Sequence, residues 1–97
     1  MITSVVLAPK VKRQLRKLTL RIAKKLRSWV LAVEEEGLEN VRKLPGYHDE
    51  SLRGQRKGQR SIRLSLHYRA IYEIRASGKV EFVSVEEVNK HDYKTKS

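Results

Sequence analysis

Apolar positions change their period twice along the chain. The run ITSVVLA from Ile2 to Ala8 is short, apolar and β-branched, and with Pro9 behind it predicts a strand. Pro9 suits the first position of a helix, where its missing N–H has no intrahelical partner to lose. Beyond it Val11, Leu15 and Leu18 recur at helical spacing. Thr19 is placed to cap a second helix, in which Ile22, Leu26, Trp29, Val30 and Val33 form one stripe while Arg21, Lys24, Lys25 and Arg27 fall largely elsewhere. The two segments predict an αα-hairpin. Gly37, after Glu34-Glu35-Glu36, is a helix stop, and Leu38, Val41 and Leu44 fit one or two further turns closed by Pro45-Gly46.

From Gly46 to Gly58 the chain is polar and glycine-punctuated, which reads as a loop. The period then drops to two. Ile62, Leu64 and Leu66 alternate with Ser61, Arg63 and Ser65 over Gln59 to Leu66; Ser65-Leu66-His67 reads as a tight connection; Tyr68, Ala70, Tyr72 and Ile74 then alternate with Arg69, Ile71 and Glu73. After a turn at Ala76-Ser77-Gly78, Val80 to Val85 reads as a third strand, more buried on both faces. The order β, α, α, β, β, β predicts an α+β domain: an N-terminal strand and a two-helix hairpin packed on one face of a small, mainly antiparallel sheet. A single domain spanning 1–97 is expected, with 94–97 as a flexible tail.

Composition narrows the function. A chain of 97 residues has room for one core, and the absence of cysteine removes disulfide staples and thiolate zinc sites. No apolar run approaches a membrane span and the first residues lack a signal peptide's basic start, so a soluble, cytoplasmic protein with no membrane partner is expected. Twenty-two Lys and Arg against eleven Asp and Glu leave a net charge of +11. Self-repulsion on that scale points to a polyanionic partner, with nucleic acid ahead of a membrane surface or an acidic protein.

With the helices on one face, the other face of the sheet is left to Arg63 and Arg69. The loop ahead adds Arg53, Arg56, Lys57 and Arg60, and Lys90 follows the third strand. Guanidinium groups in such an array bind phosphate as bidentate donors, although strand arginines also serve merely to solvate a sheet. Glu50 is the nearest upstream carboxylate, placed either as a general base or as an ion partner of Arg53 or Arg69. His91 and Tyr93 close the chain near the arginine strands, and an imidazole can protonate a leaving alkoxide; His48 and His67 compete for that role. No spacing matches a metal motif, a phosphate-binding glycine loop or a nucleophilic triad, so neither metal nor cofactor is expected.

The segments YHDESLRG (47–54), Gly58, SIRLS (61–65), YRAIY (68–72) and VEFVSVEEVNKHDY (80–93) together resemble the RelE/ParE toxin superfamily, most closely its HigB-like and YoeB-like branches. The resemblance implies a RelE-like fold and the toxin of a type II toxin–antitoxin pair, an mRNA interferase cutting mRNA in the ribosomal A site. Its implied partners are the ribosome with its 16S rRNA, mRNA and a cognate antitoxin. Glu50 falls where YoeB-like members keep a catalytic Glu and HigB-like members a His. Arg69 falls on the family's phosphate-binding Arg, Arg63 on a basic strand position, and His91 and Tyr93 on a terminal His/Tyr pair. Ser51 replaces a common Pro, and Gln59-Arg60 replace aromatics often found after the glycine. The implied chemistry is metal-free attack by the RNA 2′-OH. Two other readings stay open: a ParE-like poison of DNA gyrase on the same fold, and a simple RNA-binding module.

Overall fold

The computed structural model describes residues 1–90. Strand β1 (Val5–Leu7) leads into helices α1 (Pro9–Lys17), α2 (Leu20–Glu36) and the short α3 (Leu38–Val41). Strands β2 (Glu50–Ser51), β3 (Arg60–Arg63), β4 (Tyr68–Ser77) and β5 (Val80–Lys90) follow. They form one sheet in the order β1-β5-β4-β3-β2, with β1 parallel to β5 and every other pair antiparallel. This is the expected α+β arrangement. Among the described residues no helix is long and apolar enough to cross a membrane.

The α2 stripe makes the core. Ile22, Leu26, Trp29 and Val33 are buried against Ile62, Ala70, Tyr72, Val83, Val85 and Val88, all on one sheet face. Burial of each large aliphatic side chain contributes about 1.5–3 kcal/mol. The Trp29 and Tyr72 rings lie 5.1 Å apart at 44°, so the aromatic contact ties helix to sheet. Thr19 occupies the N-cap position of α2 but makes no side-chain capping bond. Gly37 ends α2 at φ +88°, a conformation that side-chain-bearing residues rarely adopt. The next amide, Leu38 N–H, donates to the Ile2 carbonyl at 2.8 Å and fastens the N-terminal segment to the helix junction. Where β1 stops alongside β5, α1 takes over the exposed edge: Gln14 Oε1 accepts the Val88 N–H at 2.8 Å.

Four expectations are corrected. The segment from Gly46 to Gly58 is not all loop, because β2 pairs there with β3, Glu50 opposite Ser61 and Ser51 opposite Arg60. Two polar residues carry no hydrophobic alternation, so the pairing leaves no periodic trace. β3 stops at Arg63 rather than Leu66: the Ser65 hydroxyl accepts the N–H groups of His67 and Tyr68, the chain turns, and Leu66 is left 65% exposed. Leu44 is 47% exposed because α3 has already ended at Val41. Finally, the third strand, buried over Val83 to Val85 and again at Val88, does not end at Val85 but runs on to Lys90, and bulges against β4. Ile71 pairs with Glu87 and Tyr72 with Val85, leaving Glu86 as the extra residue.

Candidate functional site

Register decides which side chains meet. Ser61 stands opposite both Glu50 and Ile71, and Arg63 stands opposite Arg69, itself paired with Asn89. Side chains alternate along each strand, so Glu50, Arg63, Arg69 and Asn89 all lie on the face away from the helices. Glu50, Arg63 and Arg69 line one pocket of about 80 Å³ together with His48, Ser61, Ile62 and Tyr68. That volume is well below the ~300–1,000 Å³ of ordinary small-molecule pockets, so it suits a single group such as a phosphate and leaves the rest of a polymer outside.

Electrostatics agrees with an anion site. Arg63 and Arg69 are directly opposed across two antiparallel strands, where like charges destabilise the pairing. Among the described residues neither has a carboxylate within ion-pair distance, nor does Glu50 pair with Arg53 or Arg69. Arg69 is nevertheless held. Its Nε donates to Asn89 Oδ1 at 3.0 Å, and Asn89 Nδ2 donates to Glu87 Oε2 at 2.6 Å, which fixes the orientation of the amide. The two terminal nitrogens of Arg69 remain for a bidentate acceptor.

Glu87 organises more than this pair. It meets Arg56 at 3.1 Å and Lys10 at 3.6 Å, and its carboxyl is held below the ordinary range by the Asn89 bond first, with Arg56 adding to it against the opposing effect of burial. Arg56 also donates to Gln59 Oε1 at 3.0 Å, and Gln59 Nε2 donates to Glu73 Oε1 at 2.9 Å. Glu73 is lowered in turn by Gln59 and then by Arg75, which lies 2.7 Å from its other oxygen. These bonds carry the segment before β3 across the sheet and flank Ile71, which is buried although it lies on the arginine face. Arg56, expected among the phosphate contacts, is therefore engaged within the fold.

Arg60 is the clearer correction. It sits opposite Tyr72 on the helix side of the sheet, not with Arg63 and Arg69. Its Nε lies 2.6 Å from Asp49 Oδ1, a carboxylate only 1% exposed, and the Tyr72 hydroxyl donates to Asp49 Oδ2. Burial raises the Tyr72 pKa and the bond to Asp49 raises it further. Burial works against the Arg60 charge, and the contacts with Asp49 outweigh it, so its pKa is raised as well. Arg53, Lys57 and Lys90 are exposed, but Lys90, opposite Tyr68 and next to Asn89, falls like Arg60 on the helix side of the sheet rather than with Arg63 and Arg69. His67 lines a separate cleft with Thr19, Arg21, Lys24 and Lys25. His91, Tyr93 and the segment 94–97 lie outside the described residues.

Sequence reasoning brought Glu50, Arg63 and Arg69 forward and kept His48 as a candidate. It missed Asp49, Asn89 and Glu87, whose parts depend on strand register and carry no local signal. His48, directly before Asp49, has left-handed φ +48° and ψ +50°. Among the described residues no group of three or more His, Cys, Asp or Glu is placed to hold a metal ion.

The model of the ParE toxin family, toxins of type II toxin–antitoxin systems of the parDE kind, matches residues 5–88. No curated protein matches the chain. Among solved structures, the archaeal RelE–RelB complex from Pyrococcus horikoshii OT3 contains a chain that superposes with a TM-score of 0.71 at 18% identity, covering 96% of this chain and 99% of that one. The YoeB/ParE toxin from Agrobacterium tumefaciens superposes at 0.68 with 16% identity over 92% and 99%. YafQ from Escherichia coli strain BL21(DE3) superposes at 0.65 with 15% identity over 90% and 91%. At these identities the likeness is one of fold.

Proposed function

The chain belongs to the ParE toxin family of type II toxin–antitoxin systems, and on that premise we propose that it is an mRNA endoribonuclease acting on mRNA in the ribosomal A site. The observation that carries this reading is the pocket itself, where a carboxylate, two opposed arginines and an imidazole meet. RNA supplies its own nucleophile, so a metal-free site needs only a base, an anion stabiliser and an acid. Glu50 takes the proton of the 2′-OH, whose oxygen attacks phosphorus. Arg63 and Arg69 hold the non-bridging oxygens as negative charge builds on them. The P–O5′ bond breaks, an imidazole protonates the leaving oxygen, and the ends left are a 2′,3′-cyclic phosphate and a 5′-OH. His48 lines the pocket for the acid role. His91, with Tyr93 stacking on a base or orienting the phosphate, is the assignment implied by resemblance. Exposed Arg53 and Lys57 track flanking phosphates of mRNA or 16S rRNA.

A cognate antitoxin belongs to the same reading. The archaeal relative was solved as a complex of RelE with RelB, and a protein that covers the basic face here would block the pocket. A second reading rests on the family match, which is to ParE: the toxin would then poison DNA gyrase and cut no RNA. Purified protein incubated with translating ribosomes, and separately with gyrase and supercoiled DNA, separates the two. Codon-positioned cuts in mRNA support the nuclease; gyrase-trapped DNA breaks with intact mRNA support the poison.

A further inference from the structure

Asp49 lies between two pocket-lining residues, His48 and Glu50, yet its own side chain is 1% exposed and its partners are on the other side of the sheet. One oxygen takes the Arg60 guanidinium at 2.6 Å and the other takes the Tyr72 hydroxyl. Tyr72 is itself immobilised, being buried in the core against Trp29 and paired in register with Arg60. The segment that Asp49 belongs to is otherwise held by the partly buried Tyr47 ring before it and by backbone pairing with β3 after it. β2 is two residues long, both are exposed, and apolar burial therefore cannot choose its register. A slip of one residue against β3 would carry Glu50 to the helix side and take the carboxylate out of the pocket. A buried ion pair is a weak source of stability compared with apolar packing, and its best-attested use is to specify register.

We infer that Asp49, clamped by Tyr72 and Arg60, is the pin that sets the register of β2 and so aims Glu50, with His48 on its other side, into the anion pocket. Asp49 is a positioning residue; it touches no substrate. The left-handed backbone of His48, next to the pin, belongs to the same device: the chain leaves the 3₁₀ turn Pro45–Tyr47 and enters β2 with His48 and Glu50 on the pocket and Asp49 turned inward. The functional part of this inference rests on the nuclease reading, whereas the structural part does not.

The test uses the full chain with Asp49→Asn, which keeps an acceptor for Tyr72 but drops the charge facing Arg60. Tyr72→Phe is the milder second variant, keeping the ring against Trp29 and the Asp49–Arg60 pair. Amide hydrogen exchange is read at Glu50 to Leu52, where the Leu52 N–H donates to the Gln59 carbonyl at 2.9 Å. Exchange there is expected to rise about tenfold or more in Asp49→Asn and less in Tyr72→Phe, with β4 and β5 protection little changed. On translating ribosomes, kcat is expected to fall about 10- to 100-fold with KM nearly constant, because the phosphate-holding arginines are untouched. Unchanged exchange at 50–52 in both variants overturns the pin, and so does loosened exchange with wild-type kcat. Should Asp49→Asn fail to fold, Tyr72→Phe decides by the same two readouts. A wild-type protein that cuts no RNA sinks the nuclease reading alone; the exchange result then upholds or overturns the pin by itself.

Discussion

Replacing Asn89 by Ala leaves Arg69 its charge and removes what holds it still. In the intact protein the Arg69 Nε donates to Asn89 Oδ1 at 3.0 Å, and Glu87 fixes the Asn89 amide from the other side at 2.6 Å. On the proposed nuclease reading, an arginine side chain once released regains roughly 1.5–2 kcal/mol of rotamer freedom that it would have to surrender on clamping a phosphate. At about 1.4 kcal/mol per factor of ten, Asn89→Ala slows the chemical step about 10- to 30-fold. Arg69→Ala loses the charge as well and slows it about 10²–10³-fold. If Asn89 works through Arg69, their effects are not additive, and the double variant is no slower than Arg69→Ala. The assay is single-turnover cleavage of mRNA on stalled ribosomes at saturating protein, with folding of each variant checked by circular dichroism. Full additivity, or wild-type speed in Asn89→Ala, refutes the reasoning.

Other consequences follow from the same network. Arg53 and Lys57 are exposed, so replacing both by Gln should lower the slope of log affinity against log salt for non-cleavable 2′-O-methyl RNA by about 1.4. Arg56→Gln should change that slope much less, because Glu87 already holds Arg56; equal changes in fluorescence anisotropy titrations would contradict the assignment. Glu73 is held below the ordinary carboxylate range by Gln59 and Arg75, and Glu87 by Asn89 and Arg56. Folded values below the unfolded value of about 4.3 give stability that is complete above that pH and is lost as the pH falls through the lower folded values. Urea midpoints should thus be flat near neutral pH and drop below about pH 4, and the drop should shrink in the Glu73→Gln, Glu87→Gln double variant; an unaltered drop counts against these two groups. Gly37→Ala should cost about 1–3 kcal/mol in urea unfolding, set by φ +88° with ψ +145° rather than by the Met1 side chain 2.6 Å from the new Cβ, since Met1 is exposed and can move. An unchanged midpoint would show that the backbone relaxes.

Hydrophobic period was enough to find the framework. The stripe Ile22, Leu26, Trp29 and Val33 and the alternation through Ile62 and Ala70 survive as the core because burial along a helix or strand is a repeating property, visible at one-dimensional spacing. The arginine face was legible for the same reason: Arg63 and Arg69 fall between apolar positions, and the sheet turns them together. Register was not legible. Arg60 alternates with Arg63 across the pleat and so falls on the opposite face, where Asp49 takes it, whereas its charge and its place in a basic loop pointed to phosphate. Asn89 meets Arg69 only because β5 bulges at Glu86 and then runs on to Lys90, a shift that nothing in EEVNK announces. Glu50 was found from its place beside the basic strands, but the two-residue strand that aims it depends on a buried pair remote in sequence.

The most direct test of the account is cleavage of an mRNA that carries a single 2′-deoxyribose at the mapped cut site in the ribosomal A site. Self-attack assisted by Glu50 and Arg69 predicts that this position stays intact while the all-ribose message is cut there, leaving a 2′,3′-cyclic phosphate and a 5′-OH. Cleavage of the deoxy message at the same rate, or ends bearing a 5′-phosphate, would contradict it.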